Sequence, residues 1–458
     1  MNRSGEVLRV VIIGGSHAGI AAARHLKKID ETVEVVIIER SNVLGYIGSS
    51  LNLYLEGFID KLEDARTVTP SQLLVEQINV LINSRVVAID EKNKSVDFTT
   101  DNSNIHLTDT VTYDYLVLAM GSSQYHTDFS SETEATMTNF KTLMQSKKAL
   151  DTLMDAKKVA IIGAGLIGFE LAESLSKYNK EIYLIDRMDS VLFRYFDEEI
   201  THELLQKLPE NVHILLNSDV REITMTEDQA VTGVILANGQ TVDVEAAVYA
   251  INPRPNVELV TDILDINMDG TIDTNEFLET SDPFIYAVGD LVSVYFNHSA
   301  MPIYIPLVTN AYRTGMIAAS NILLEEKIPF PKVQRTIVSQ LFDTYLASCG
   351  INEEEAPYYG LDVASVTKTF TKEALFQLDD CFELTIKLVY DVETKQLMGG
   401  QLMTNSKRTL EIINTLSTLV TMETTLNQLV TMDFYFNPKL STPLHFLNDL
   451  ALEGVIKR

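Results

Sequence analysis

Apolar residues in this chain come in short runs bounded by glycine and polar residues, and one order of runs occurs twice. Arg9–Ile13 is largely apolar, Gly14-Gly15-Ser16-His17-Ala18-Gly19 follows at once, helical spacing continues to about Lys28, and a second run, Val33–Ile38, ends at Glu39. The order returns with Lys158–Ile162, the loop Gly163-Ala164-Gly165-Leu166-Ile167-Gly168, helical spacing from Phe169 to Lys177, and the run Glu181–Asp186. Short apolar runs carry strand signal and a 3.6-residue period carries helix signal, so each succession predicts a strand-turn-helix-strand unit of a parallel sheet. Tyr115–Ala119 and Ala247–Ile251 predict the strands that close each half.

Elsewhere the period changes. Val86–Asp90 and Ser95–Thr99 alternate apolar with polar residues on either side of Glu91–Lys94, which predicts a hairpin appended to the first unit. Thr232–Leu236 and Thr241–Val244 flank Asn238-Gly239, a strong tight-turn signal, and predict a second hairpin. After about residue 330 the runs lengthen: Phe382–Tyr390 and Leu397–Thr404 predict strands, and Lys407 to about Val430 predicts a helical stretch, with no glycine-rich loop among them. This part is expected to be a separate α+β domain for interaction or dimerisation.

At 458 residues the chain exceeds what one hydrophobic core usually serves, and three domains are expected. Its formal net charge of -28 repels phosphate backbones and anionic lipid, which argues against nucleic-acid and membrane partners. Small nucleotides remain compatible, because backbone N–H groups and helix dipoles can hold a pyrophosphate locally. The only cysteines, Cys349 and Cys381, form no C-x-x-C and adjoin no histidine cluster, which argues against a disulfide scaffold, structural zinc or a redox dithiol; both are expected to be buried. The apolar run after Met1 is too short for a secretory signal and no run of about 18 apolar residues follows, so a cytoplasmic location is expected.

The glycine loops carry the first chemistry. In a dinucleotide fingerprint one glycine permits the tight turn, a second lets pyrophosphate reach the backbone, and a third allows close helix–strand packing. Gly163, Gly165 and Gly168 fill those places in the second unit; Gly14, Ser16 and Gly19 fill them in the first, where serine is still small and can donate its hydroxyl. Glu39 and Asp186 stand at the strand ends where a ribose hydroxyl would donate a hydrogen bond. Asp186 should disfavour the 2′-phosphate of NADP by repulsion, an effect that Arg187 moderates.

The two units, with Tyr113–Ser122 (YDYLVLAMGS) between them and Thr280–Asp290 (TSDPFIYAVGD) after them, resemble the pyridine nucleotide-disulfide oxidoreductase superfamily of two-dinucleotide flavoproteins over essentially the whole chain. The resemblance implies an α/β fold: two Rossmann-like FAD- and NAD-binding domains plus a C-terminal α+β dimerisation domain. It assigns residues 1–125 and 256–330 to the FAD-binding domain, 126–255 to the NAD-binding domain and 331–458 to dimerisation. Finer features, namely the Gly15–Gly19 loop, Glu170 in GFELAE, Tyr195 in RYFD, Tyr304–Thr309 (YIPLVT) and Asp433–Pro438 (DFYFNP), are similar to the NADH oxidase, NADH peroxidase and coenzyme A-disulfide reductase group. Taken alone, Asp433–Pro438 reads as a core aromatic cluster, whereas the resemblance puts it near the partner subunit's flavin.

Carried over, Glu39, Ala119, Gly121 and Asp290 become FAD contacts, with Asp290 on the ribityl chain, and Asp186 becomes an NAD contact. The wider set of cofactor contacts implied is Gly14, Gly15, Ser16, His17, Ala18, Gly19, Arg40, Ser49, Val86, Met120, Ser122 and Gly289, then Leu307, Val308 and Thr309, and on the nicotinamide nucleotide Gly163, Gly165, Leu166, Ile167, Gly168, Tyr195 and Asn252. Asn252-Pro253-Arg254-Pro255 departs from the group's glycine-aromatic-Arg-Pro pattern. A second departure bears on chemistry. The group's single redox cysteine belongs in a segment like Tyr46–Leu51, and here Ser49 takes that position; a hydroxyl cannot cycle through sulfenic acid or exchange with a disulfide.

His17 has two readings, a cap or backbone partner in the loop, or a catalytic imidazole beside Ser49 over the flavin. Glu170 by itself reads as a solvated acid favoured by a helix N-terminus, and by resemblance lies at the nicotinamide–flavin junction. Asp265–Glu276 matches EF-hand spacing, yet Ser281-Asp282-Pro283 would stop the exiting helix and no second loop pairs with it, so no metal is expected. The expectation is therefore an NADH oxidoreductase that carries FAD, works through His17, Ser49 and Glu170, and passes two electrons to oxygen, forming hydrogen peroxide, or to a quinone-like or other small acceptor, as a homodimer. A water-forming oxidase, a flavin- and NADH-binding sensor and a calcium-regulated reductase are the alternatives.

Overall fold

A computed structural model describes residues 7–102, 105–124, 139–251, 253–297, 299–376 and 381–456. The first unit runs β1 (Arg9–Ile13), α1 (His17–Ile29) and β2 (Glu34–Ile38), followed by the short helix α2 (Ser50–Leu55). The second runs β3 (Lys158–Ile162), α3 (Leu166–Ser176) and β4 (Glu181–Ile185), and a long helix α4 (Val308–Leu323) comes later.

The first sheet has five parallel strands in the order Ile285–Ala287, Tyr115–Leu118, β1, β2, Ile78–Leu81, so its outer strand arrives only after the chain has built the second unit. β1 and β2 pair without slippage from Arg9↔Glu34 to Ile13↔Ile38. Both are near-continuous Val/Ile runs, as a strand covered on both faces requires, and Val10, Val11, Ile12, Val35 and Ile37 are fully buried. Each such side chain contributes roughly 1.5–3 kcal/mol by leaving water. α1 carries Ala18, Gly19, Ala21, Ala22 and Ala23, which let α4 approach backbone to backbone: a Cβ on Gly315 would stand 2.3 Å from the Ala18 carbonyl oxygen.

The second sheet, Val212–Leu215, β4, β3, Ala246–Tyr249, is also parallel. A three-stranded antiparallel sheet, Val220–Met225, Val231–Leu236, Thr241–Asp243, accompanies it and includes the expected hairpin, with Gly239 at φ +85 in the turn. The appended hairpin of the first unit is larger than expected. Ser84–Asp90 and Ser95–Asn102 are joined by a third strand, Ile105–Thr112, in which Ile105, Leu107 and Val111 alternate with polar residues, Asp109 interrupts the apolar series and Leu107 is exposed.

The C-terminal part is a five-stranded antiparallel sheet in the order Ile337–Leu341, Thr344–Gly350, Leu397–Thr404, Leu384–Asp391, Val363–Phe370. Its helical stretch is broken rather than continuous. A 3-10 turn Lys407–Glu411 leads into the helix Ile412–Thr421, Glu423 takes φ +54, and Thr425 starts Leu426–Val430 with a capping box to Gln428. Asp433–Pro438 is not core: Phe434 stacks on His445, while Tyr435 and Phe436 are 71% and 52% exposed. Cys349 is buried as expected, but Cys381 is exposed, because it precedes the strand instead of lying within it. The residues Asp265–Glu276 form no helix-flanked loop; Ile266 and Ile272 bridge across a turn, and Asp269 accepts from Thr271 and Ser293. No helix among the described residues is long and apolar enough to cross a membrane.

Candidate functional site

Parallel strands aim their C-terminal ends the same way, and ligands gather in the crevice beyond them. Here the loops after β1 and β3, the Ala119–Ser122 segment and Gly289-Asp290 all open on one continuous cavity of about 1990 Å³. The two glycine loops are built alike. Gly14 and Gly163 take φ +109 and +116, and a Cβ on either would stand 2.2 Å from the Ala119 carbonyl oxygen or 2.8 Å from that of Ala250. Gly19 and Gly168 lie beneath the loops instead of lining the cavity; a Cβ there would meet the Gly14 and Gly163 oxygens at 2.0 and 1.9 Å. Nothing stands within 4 Å of a Cβ on Gly165, so the chain is open there for a phosphate to approach. Ser16 and Gly165 precede α1 and α3 without a side-chain cap, which leaves the first-turn N–H groups to an anion.

Each acid at a strand end braces its own loop. Glu39 accepts from the N–H of Gly15 and of Ser41, both at 2.8 Å; Asp186 accepts from Ala164 at 2.7 Å and Met188 at 2.9 Å. Arg40 and Arg187, the next residues, line the cavity beside them.

Between the loops lies a polar cluster. Asp290 accepts from Ser122 at 2.5 Å and from Lys141 at 3.0 Å, and Lys141 also touches the Ser122 hydroxyl. The Tyr304 hydroxyl and His17 Nδ1 are buried without hydrogen-bond partners. Burial, and then the nearby Asp290 charge, pushes the Tyr304 phenol up. Burial holds the His17 imidazole below its ordinary value, against the pull of Asp290. His17 thus neither caps α1 nor bonds backbone through Nδ1; its ring lies 5.7 Å from that of Tyr312. Orphaned donors and acceptors on a cavity wall, together with a cradle that a Cβ would fill, fit a dinucleotide such as FAD.

Ser49 also lines the cavity, just before α2, and Asn52 lies about one turn on. Glu170 on α3 is not a solvated acid. Burial pushes its carboxyl up while Ser339 Oγ donates to Oε1 at 2.8 Å. Tyr195 lies 5.4 Å from the Arg335 guanidinium, which is itself buried and paired with Glu355, Nη1 to Oε1 at 2.8 Å.

The expected contacts Gly14, Gly15, Ser16, His17, Ala18, Glu39, Arg40, Ser49, Ala119, Met120, Gly121 and Ser122 line the cavity, as do Gly163, Gly165, Leu166, Ile167, Glu170, Asp186, Tyr195, Gly289, Asp290, Leu307 and Val308. Val86 does not. Neighbouring strand residues face opposite sides, so Arg85 reaches the cavity while Val86 packs toward the core. Thr309 is exposed on the first turn of α4, and Asn252 lies outside the described residues. Sequence reasoning missed Lys141, Asn52, Arg335, Glu355 and Ser339, none of which sits in a fingerprint.

Residues 8–315 match the family model described as pyridine nucleotide-disulphide oxidoreductase, and residues 336–445 match the dimerisation domain of the same name. An NADH oxidase of Enterococcus faecalis is 31% identical over 445 residues, 97% of this chain and 98% of its own. A water-forming NADH oxidase from Lactobacillus brevis, solved bound to NADH, is similar at a TM-score of 0.91 and 27% identity over 98% of both chains. An NAD-dependent persulfide reductase from A. fulgidus is similar at 0.90 and 26% identity, over 98% of this chain and 84% of that one.

Proposed function

From the premise that the chain belongs to the pyridine nucleotide-disulphide oxidoreductase family, we propose that it is an FAD-dependent NADH oxidase that reduces dioxygen to hydrogen peroxide without a cysteine relay. The balance is NADH, one proton and O₂ giving NAD⁺ and H₂O₂. FAD in the first unit supplies the acceptor of the hydride and the donor of both electrons. Residues 1–125 and 256–330 serve it, residues 126–255 serve NADH, and residues 331–458 pair two chains into a homodimer.

The protein's residues bind, orient and exclude water. The loops after β1 and β3 offer N–H groups to the two pyrophosphates, and Glu39 and Asp186 hold the riboses. Asp290, held between Ser122 and Lys141, presents a carboxylate to the ribityl hydroxyls. His17 stays neutral near pH 7 and offers Nδ1 to a bound oxygen species.

One observation carries the peroxide product: Ser49 lines the cavity and neither cysteine does. The thiol of Cys349 is fully buried in the C-terminal sheet and pushed up to about 12, so it holds no thiolate near neutral pH. A water-forming reaction, the activity of the L. brevis relative, passes four electrons to each O₂ and would leave no peroxide. Anaerobic titration and aerobic turnover separate the two. We expect one NADH equivalent to bleach the flavin with no long-wavelength thiolate band, then one peroxide per NADH in air. Uptake of a second equivalent by a protein-based acceptor, or turnover without peroxide, overturns the reading; a flavin that NADH reduces only very slowly points to a sensor.

A further inference from the structure

The loop after β4 runs from Asp186 to Asp197, and Ser190, Leu192, Phe193, Arg194 and Tyr195 within it line the cavity. It is tied to the second glycine loop, where the Leu192 N–H donates to the Ala164 oxygen at 2.9 Å. Leu192 takes φ +54, a left-handed conformation that a bulky side chain keeps only where its surroundings impose it. Those surroundings come from the C-terminal domain. Asn352 Nδ2 donates to the Phe193 oxygen at 2.7 Å, and the Glu354 carboxylate accepts from the Glu198 N–H at 2.6 Å and from Ser190 Oγ at 3.3 Å. The Tyr358 ring meets that of Phe193 edge-on at 5.8 Å.

The most deeply buried tie is at Asp197, which is 2% exposed. It accepts from Gln401 Nε2 at 2.6 Å, from Lys387 Nζ at 3.0 Å and from the Glu354 N–H at 3.0 Å, and its own N–H donates to Gln401 Oε1 at 2.9 Å. Lys387 and Gln401 stand opposite each other on the strands Leu384–Asp391 and Leu397–Thr404, and both are buried. Their neighbours Ile386, Leu388 and Leu402 pack into the C-terminal core, so the pleat turns the lysine and the glutamine toward the second unit. Burial works against the lysine charge, yet Asp197 and Glu353, the latter 2.7 Å away, hold its pKa above the ordinary value.

We infer that Lys387 is a positioning residue for NADH: through Asp197 it holds the Ser190–Tyr195 wall against the second nucleotide's pocket, and so sets the affinity for a ligand it does not touch. Lys387 itself lies off the cavity. A buried ion pair adds little net stability over apolar packing of the same volume, so its contribution here is to fix one placement of the wall. The inference rests on the NADH reading above; no bond is made or broken on Lys387.

Anaerobic stopped flow on the flavin-loaded protein gives the NADH dissociation constant and the limiting rate of flavin reduction as separate quantities. Lys387→Met and Gln401→Leu each cut the anchor and leave Asp197 two other donors, while Leu416→Ala loosens the same domain on its opposite face. The expected result is NADH bound about tenfold more weakly by both anchor variants, with limiting rate and flavin content unchanged. Leu416→Ala should lower the melting temperature and keep wild-type affinity. If Lys387→Met does not fold, Gln401→Leu carries the same comparison. Unchanged affinity in the anchor variants, or equal weakening by Leu416→Ala, makes the network structural and overturns the inference. A wild-type flavin that NADH does not reduce overturns the NADH reading first, and is told apart because the variants then have no affinity to lose.

Discussion

The two nucleotide units share a plan and differ in tolerance. Each has a φ-positive first glycine, a third glycine wedged under the loop, and a carboxylate that accepts two backbone N–H groups. In the first unit the loop is closer to its neighbours: a Cβ on Gly14 would lie 2.2 Å from a carbonyl oxygen, against 2.8 Å at Gly163. A Cβ on Gly15 would also meet Leu44 at 2.5 Å. The difference suits a unit that keeps its nucleotide through turnover beside one that must exchange it every cycle.

The largest effect expected is from adding that Cβ. Gly14→Ala should give a colourless protein destabilised by roughly 3 kcal/mol or more, from left-handed strain plus the clash. Gly163→Ala should keep its flavin, seen in the visible absorbance ratio, and slow reduction by NADH at least tenfold in stopped flow. Flavin loss from Gly163→Ala would break the division of labour.

The acids come next. Hydrogen bonds to charged groups contribute about 1.5–3 kcal/mol, and an amide oxygen keeps part of that, so Glu39→Gln and Asp186→Asn should each cost about tenfold in affinity. Equilibrium dialysis should show the loss for FAD with Glu39→Gln, and the KM for NADH should rise with Asp186→Asn while flavin content stays constant.

The smallest effects expected have opposite signs. Burial lowers His17 from 6.5, so the unfolded chain takes up that proton first and stability falls as pH drops from 6.5 through the folded value. Burial raises Glu170 from 4.5, so the unfolded chain releases its proton first and stability falls as pH rises from 4.5 through the folded value. Melting curves should then show His17→Gln relieving the acid side and Glu170→Gln the alkaline side; the same side for both would sink the assignment of burial as the common cause.

The glycine loops and their acids were legible because their chemistry is local: strand end, turn and helix start lie within a few residues of one another, and the acid follows one strand later. Lys141 and Asp290 are 149 residues apart and Ser339 and Glu170 are 169 apart, so no periodicity brings them together. Asn52 had a weaker trace, a polar residue three positions after Ser49 between Leu51 and Leu53. Arg335 gave none: its φ of +51 is a conformation more usual for glycine or asparagine, and its pairing with Glu355 depends on the C-terminal fold. The third strand of the appended sheet left a period of two, Ile105, Leu107 and Val111 between polar residues, but Asp109 breaks the apolar series, so the trace is short.

The strand Ile285–Ala287 completes the first sheet beside Tyr115–Leu118, with the whole second unit inserted before it. A nascent chain leaving the ribosome must therefore carry an open sheet edge, with unmet backbone donors and acceptors, while roughly 165 further residues are synthesised, and such an edge invites aggregation. Gly289 and Asp290 follow that strand after Val288 alone, so the segment that closes the edge also delivers the carboxylate that Ser122 and Lys141 hold. Maturation and cofactor capture are in this way tied to one late event in synthesis.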